Sequence, residues 1–236
     1  MKDSQNEMLP PQLKGKAIDI KKSRSFNNSS EAIAFYEKAK EKLQRVNNWG
    51  ELAGDLSADF QQTDAKGNKV NRPLEKGDHF KIDIPGPGSV VGQGFDWVKV
   101  EAIIVQSTPS RNLYSFRVRP SENPFNRRAG IAHFYDKDST STFSIRRNKN
   151  VVSITIHDRN TQPNSDIGDS VDKIRDRIIG TLGVLAFSSF QWTKLAEGIM
   201  SNEEKRNPFT LLNNLRNTHH QLLAFMGVYQ STNFNI

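Results

Sequence analysis

The stretch Asp169 to Met200, DSVDKIRDRIIGTLGVLAFSSFQWTKLAEGIM, constrains the chain more than any other. Val171, Ile174, Ile178, Leu182, Leu185, Trp192, Ala196 and Ile199 recur at a three-four spacing, with Ser189 in the one polar place of the row. That spacing makes one continuous stripe on an α-helix. Asp166, Asp169 and Asp172 crowd its start, where carboxylates oppose the positive end of the helix dipole. From Ile178 to Thr193 there is no charge, and the apolar positions run most of the way round. The run is shorter than the roughly 18 to 20 residues that cross a bilayer, and it carries Ser, Thr and Gln, so no membrane span is expected. It predicts a helix that must be buried on several sides.

A sheet is the natural surface to bury it against. From His79 the apolar period changes from helical to strand-like: Phe80, Ile82 and Ile84 alternate with charged residues up to Pro85-Gly86-Pro87-Gly88. Phe95 to Gln106 places Val98, Val100, Ala102 and Ile104 on one face. Leu113 to Arg119 places Tyr114, Phe116 and Val118 on one side, with Arg117 and Arg119 on the other. Gly130 to Tyr135 is a less regular strand candidate. Ser139 to Asp158 reads as a hairpin about a two-residue turn at Asn148-Lys149. Ile145 then meets Val152 and Phe143 meets Ile154, while Thr142 meets Thr155, Ser144 meets Ser153 and Thr140 meets His157. A one-residue slip would mix threonine with isoleucine on both faces. These alternations suit an antiparallel sheet with one face buried.

The remaining segments frame that core. Residues 1–28 carry Pro10-Pro11 and a polar run and show no period to bury, so they read as a flexible basic arm. A helix is expected from Ser29 or Ser30, with Ala32, Phe35, Ala39, Leu43 and Val46 as its apolar face and Asn47-Asn48 and Gly50 as its stop. Glu51 to Phe60 reads as a further short helical turn. Residues 29–200 are expected to form a single α+β domain, and 201–236 a helical extension. In that extension Asn207-Pro208 opens a helix bearing Leu211, Leu212, Leu215, Leu222, Leu223 and Met226, which folds back on the domain or supplies a homodimer face.

Charge is local rather than general. The chain carries 33 Lys and Arg against 26 Asp and Glu, a net +7, and residues 111–159 hold ten basic side chains against four acidic. With no cysteine, disulfides, thiolate metal sites and cysteine nucleophiles are excluded. The N-terminus contains no apolar signal core, so a cytoplasmic protein is expected.

The candidate sites follow from this pattern. Gly86, Gly88, Gly92 and Gly94 cluster after a strand but match no phosphate-loop spacing, and a strand follows instead of a helix. They read as a turn or a pocket rim. Asp136-Lys137-Asp138-Ser139-Thr140 resembles the D-x-D-x-T motif of haloacid-dehalogenase-type phosphatases, which would make Asp136 a nucleophile and Asp138 an acid/base. That family needs helices between its strands, and strands follow here. His157, at the end of a strand beside the hydroxyl-rich face, is a candidate base or ligand contact. His219-His220 are adjacent and diverge on a helix, and no metal or cofactor motif is present.

The fold class expected is α+β: five to seven antiparallel strands packed by the long C-terminal-half helix, with an N-terminal helix and a C-terminal tail helix. Its element order resembles the helix-grip proteins (START and Bet v 1-like), in which the C-terminal helix closes a cavity over the sheet. The function expected is that of a binding protein with a small amphipathic or anionic ligand held between helix and sheet. Arg117, Arg119, Arg146, His157, Thr142 and Thr155 are the polar contacts expected for it. Two alternatives stand beside this reading. One is a nucleic-acid or acidic partner bound through the arginine-rich 111–159 surface, although Tyr114, Phe116 and Phe143 alternate onto the opposite face. The other is a hydrolase using His157 or the Asp136/Asp138 pair.

Overall fold

Alternating apolar side chains gather seven segments into one antiparallel sheet. In the computed structural model, which describes residues 8–54, 57–84, 89, 91–164 and 181–202, the strands are β1 (Lys16–Ser25), β2 (Asp59–Thr63), β3 (His79–Asp83), β4 (Asp96–Ser107), β5 (Arg111–Pro120), β6 (Thr140–Asn148) and β7 (Val151–Thr161). Their order across the sheet is β1-β7-β6-β5-β4-β3-β2. Among the described residues three α-helices accompany the sheet: α1 (Ser29–Gln44), the short α2 (Trp49–Ala53) and the long α3 (Thr181–Met200). They share one side of the sheet, and their buried residues form a single core with its apolar face. This is the helix-grip-like α+β architecture that the element order predicts.

Trp49 anchors that core. It is fully buried, its indole nitrogen donates to the Leu43 carbonyl at 3.2 Å, and its ring lies 5.0 to 6.1 Å from those of Phe60, Phe80, Phe116 and Phe143. Such aromatic clusters add to the apolar area that they bury. Helix α1 presents Ala32, Phe35, Tyr36, Ala39 and Leu43 to the same core. Its cap is Asn28, one residue before the expected serines: Asn28 Oδ1 accepts from the Glu31 amide at 2.9 Å, and its amide group donates to the Glu31 carboxylate.

Several sequence expectations shift by small, physically explicable amounts. The hairpin turn is Lys149-Asn150, one residue later than read, with Lys149 at φ 53°. Thr142 therefore meets His157 and Ser144 meets Thr155, while Ile145 meets Ile154 and Phe143 meets Ile156. Moving both sides of the turn by one residue conserves the faces, which are what the alternation specifies. In β4 a bulge between Val100 and Ala102 re-aims the strand. Beyond it Ile103, not Ala102 or Ile104, packs against the core.

Two strands were missed. Lys16–Ser25, read as part of a flexible arm, pairs with β7 along its whole length. Ile18 and Ile20 are its core-facing residues, and the lysines around them conceal the alternation, as charge commonly does on edge strands. The other, β2 (Asp59–Thr63), begins inside the Glu51 to Phe60 stretch expected to be helical, whose described helical residues are the last three of Trp49–Ala53. Residues 130–135 form isolated bridges rather than a strand. The chain divides into Met1–Met200 and Ser201–Ile236. The tail helix with its dimer face and His219-His220, together with 165–180, lie outside the described residues. No described helix is long and apolar enough to cross a membrane.

Candidate functional site

The two halves of α3 pack differently. Its C-terminal half is locked down: Leu195, Ala196 and Ile199 are fully buried, and Gly198 lies so close to α2 that a Cβ there would stand 2.2 Å from the Leu52 carbonyl oxygen. Under the preceding half, Phe187, Ser188, Gln191 and Trp192 roof a cavity of about 50 Å³. The floor is the apolar sheet face, with Phe80, Ile82, Val98, Val118 and Phe143, and Trp49 and Phe60 close one side. Into this aromatic lining the chain sets a few polar side chains, among them Tyr135, Ser141, Asp158, Ser188 and Gln191.

Asp158 is the most unusual of them. It follows Val152, Ile154 and Ile156 on the core-facing side of β7 and has no exposed surface. Its Oδ2 accepts from the Trp192 indole nitrogen at 2.9 Å, the Ser141 hydroxyl also stabilises the carboxylate, and among the described residues Oδ1 has no hydrogen bond of good geometry. Burial pushes its pKa up to about 6, against the partial offset of Ser141 and Trp192. The carboxyl thus titrates within reach of neutral pH.

The neighbouring polar groups are largely committed to the protein. Tyr135 and Ser188 share a hydroxyl–hydroxyl hydrogen bond of 3.2 Å, and burial holds the Tyr135 phenol above its ordinary range. His133 Nδ1 accepts from the Tyr135 amide at 2.9 Å. Gln191 Oε1 accepts from the Ala58 amide at 2.7 Å, which fixes the side chain and leaves Nε2 without a protein partner.

The residues expected as ligand contacts lie on the other side of the sheet. Asp19, His157, Thr142 and Arg117 are consecutive partners across β1, β7, β6 and β5, so the structure does bring three of the expected residues into one row. It is a row of internal contacts. His157 Nδ1 is 2.5 Å from Asp19 Oδ1, and Arg159 donates to the same oxygen at 2.6 Å. Burial would raise the Asp19 pKa, but Arg159 and His157 outweigh it and hold the carboxyl low. Glu101 is shared by Arg117 and Arg119, which likewise outweigh its burial. Thr142 is fully buried, and the Met8 carbonyl accepts from both Thr142 and Arg117. Arg146 and Thr155 belong to this same polar face, Thr155 opposite Ser144.

The Asp136/Asp138 pair is also engaged. Lys14 Nζ stands 2.8 Å from Asp136 Oδ2 and 2.7 Å from Asp138 Oδ2. Asp136 Oδ1 meanwhile accepts from the amides of Asp138 and Ser139, the pattern of a polar loop. Arg119 borders an open cleft of about 800 Å³ with Lys76, Lys99 and Lys137, and Glu101, Glu122 and Asp138 stand among these cations. Gly92 and Gly94 lie in a turn whose Gly92 carbonyl accepts from the Trp97 indole; residues 85–88 lie outside the described residues.

No protein-family model matches the sequence, and no curated protein matches it. Solved structures with a related backbone course include hypothetical protein jhp0584 from Helicobacter pylori, 10% identical with a TM-score of 0.44 over 79% of this chain and 87% of that one. Norcoclaurine synthase from Thalictrum flavum is 10% identical, with a TM-score of 0.34 over 84% of this chain and 100% of that one. The major latex-like protein 151 of Panax ginseng is 11% identical, with a TM-score of 0.33 over 79% and 100%.

Asp158 and Gln191 are not among the residues expected from the sequence. For Asp158 the signal was present: a carboxylate occupies an apolar place in a strict two-residue alternation. Gln191 carried a weaker one, a polar residue inside the uncharged run of a buried helix.

Proposed function

We propose that the chain binds a small, largely apolar molecule in the cavity between α3 and the sheet. The observation that carries this reading is the uneven seating of α3. One half is wedged against α2 by Gly198, while the other spans an aromatic cavity with buried polar side chains in its wall. A site of this kind, mostly apolar with a few fixed polar groups, is what small-molecule recognition uses. A cavity of about 150 Å³ holds benzene, so the present 50 Å³ admits only a few heavy atoms while the roof is closed. Phe187 in the roof is only half-buried, and a larger ligand would need a roof side chain such as this one to turn aside.

The test is native mass spectrometry of the gently purified protein at low and raised ionic strength, beside the variant Ser188→Phe, which fills the cavity from its roof. A small-molecule adduct that survives salt and is missing from the variant is the expected result. An adduct shed by salt, or retained in Ser188→Phe, would mean that the molecule sits on the charged surface instead.

A further inference from the structure

We infer that the polar end of the cavity's ligand is neutral and both gives and takes a hydrogen bond, as a hydroxyl or a primary amide on a short apolar stem does. This rests on the cavity-binding reading above and adds to it the chemistry of the head group. Asp158 comes from the sheet and Gln191 from α3, and both are buried. Each has one oxygen committed: Asp158 Oδ2 to the Trp192 indole at 2.9 Å, and Gln191 Oε1 to the Ala58 amide at 2.7 Å. The Ala58 contact settles the amide's orientation, because only its oxygen can accept. What remains in the cavity wall is one unmatched acceptor, Asp158 Oδ1, and one unmatched donor, Gln191 Nε2.

Unmatched buried polar atoms are costly, so a ligand that meets both is favoured over one that meets neither. The head groups sort on that basis. A carboxylate can accept from Gln191 but brings a like charge beside Asp158, which is mostly ionised at pH 7.5. An ammonium can donate to Asp158 but cannot accept from Gln191. Its other N–H groups would face an aromatic wall after losing their water. A hydrocarbon meets neither atom. A hydroxyl or a primary amide carries both the donor and the acceptor that these atoms call for, and Tyr135 and Ser188, already bonded to each other, compete little for it.

Five probes of similar size test this: isobutanol, isobutyramide, isobutylammonium, isobutyrate and 2-methylbutane. Each is titrated at pH 7.5 into the full chain labelled with nitrogen-15. The readouts are the Trp192 indole N–H and the Gln191 side-chain NH2 signals. The expected result is that isobutanol and isobutyramide bind at least about tenfold more tightly than the other three. These two should move the Gln191 NH2 signal strongly, whereas isobutylammonium and 2-methylbutane, which offer it no acceptor, should not. In Asp158→Asn, isobutyrate should gain about tenfold as the like charge is removed. If that variant does not fold, the ranking of the five affinities in wild type decides the matter alone. Equal binding of 2-methylbutane, or tightest binding of the ammonium or the carboxylate, would overturn the head-group inference and leave the cavity in place. If none of the five moves the Trp192 signal, the cavity-binding reading itself fails.

Discussion

The indole of Trp192 donates to the buried Oδ2 of Asp158 at 2.9 Å, tying the long helix to the strand across the cavity that they enclose. The Trp192 ring also meets Phe143 edge-on at 5.1 Å. One side chain therefore serves as roof, wall and hydrogen-bond donor to the carboxyl.

Trp192→Phe keeps the ring but removes the donor. Asp158 then loses its hydrogen bond from the long helix, and a buried polar group left less well paired costs about 1 to 3 kcal/mol. A urea denaturation midpoint that falls accordingly is expected; an unchanged midpoint would mean that solvent reaches the carboxyl.

Stability should depend on pH through Asp158, and the sign is unusual for an aspartate. Unfolded, the group titrates near about 3.9; folded, it is pushed up to about 6. Between those values the folded chain binds more protons than the unfolded one, so this group's contribution falls as pH rises from about 4 to about 6. Above that window the loss is complete, on the order of 3 kcal/mol. Asp19, Glu101 and Asp138, all held low by basic neighbours, act in the opposite direction. The comparison that isolates Asp158 is wild type against Asp158→Asn in urea at pH 4 and pH 7.5. The variant should gain relative to wild type at the higher pH. Parallel pH profiles would contradict the shift.

Gly198→Ala should destabilise the protein although alanine is the better helix former by about 1 kcal/mol. The added methyl would meet the Leu52 backbone at 2.2 Å, and backbone cannot turn aside as a side-chain tip can. A loss of roughly 1 to 3 kcal/mol in chemical denaturation is expected. A gain in stability would show that the two helices are free to part.

Arg147 is buried on the helix side of the sheet and holds four groups together. It donates to Asn112 Oδ1 at 2.6 Å, to the Pro109 and Lys149 carbonyls at 3.0 Å each, and to Ser29 Oγ at 3.3 Å. Its loss in Arg147→Met should cost several kcal/mol, because those acceptors stay behind partly unpaired. Arg147→Lys should not restore stability, since an ammonium lacks the planar fork that reaches them all. Thermal melting of the two variants checks this, and full rescue by lysine would contradict it.

His157→Asn should leave binding in the cavity unchanged within about twofold, because His157 faces Asp19 on the far side of the sheet. Titration of the variant with isobutanol measures this. A large loss would return His157 to the site.

How much of this was legible in the sequence depends on which residues carried a period. In the hairpin the turn lies one residue later than its sequence suggests, yet Phe143, Ile145, Val152 and Ile154 keep the buried face, because parity outlasts a shift of the turn. The same reasoning failed in β4, where the bulge at Glu101 changes parity without leaving a turn signal. Edge strand β1 was hidden by its lysines, whose charge belongs to the solvated side of a strand with a modest apolar face. The proposed cavity and the residues expected as ligand contacts fall on opposite faces of the sheet for a related reason. Arginines and a histidine attract attention, but their outward parity on β5, β6 and β7 puts them opposite α3. Asp158, one residue beyond His157, has the inward parity and lies in the cavity.

The most direct test of the account uses the three tryptophans as reporters. Trp49 and Trp192 line the cavity, and Trp97 does not. With fluorotryptophan incorporated, titration with isobutanol followed by fluorine NMR should move the Trp192 and Trp49 resonances together and leave Trp97 in place. Movement of Trp97 alone, or of none of the three while the alcohol still binds, would contradict a ligand site between α3 and the sheet.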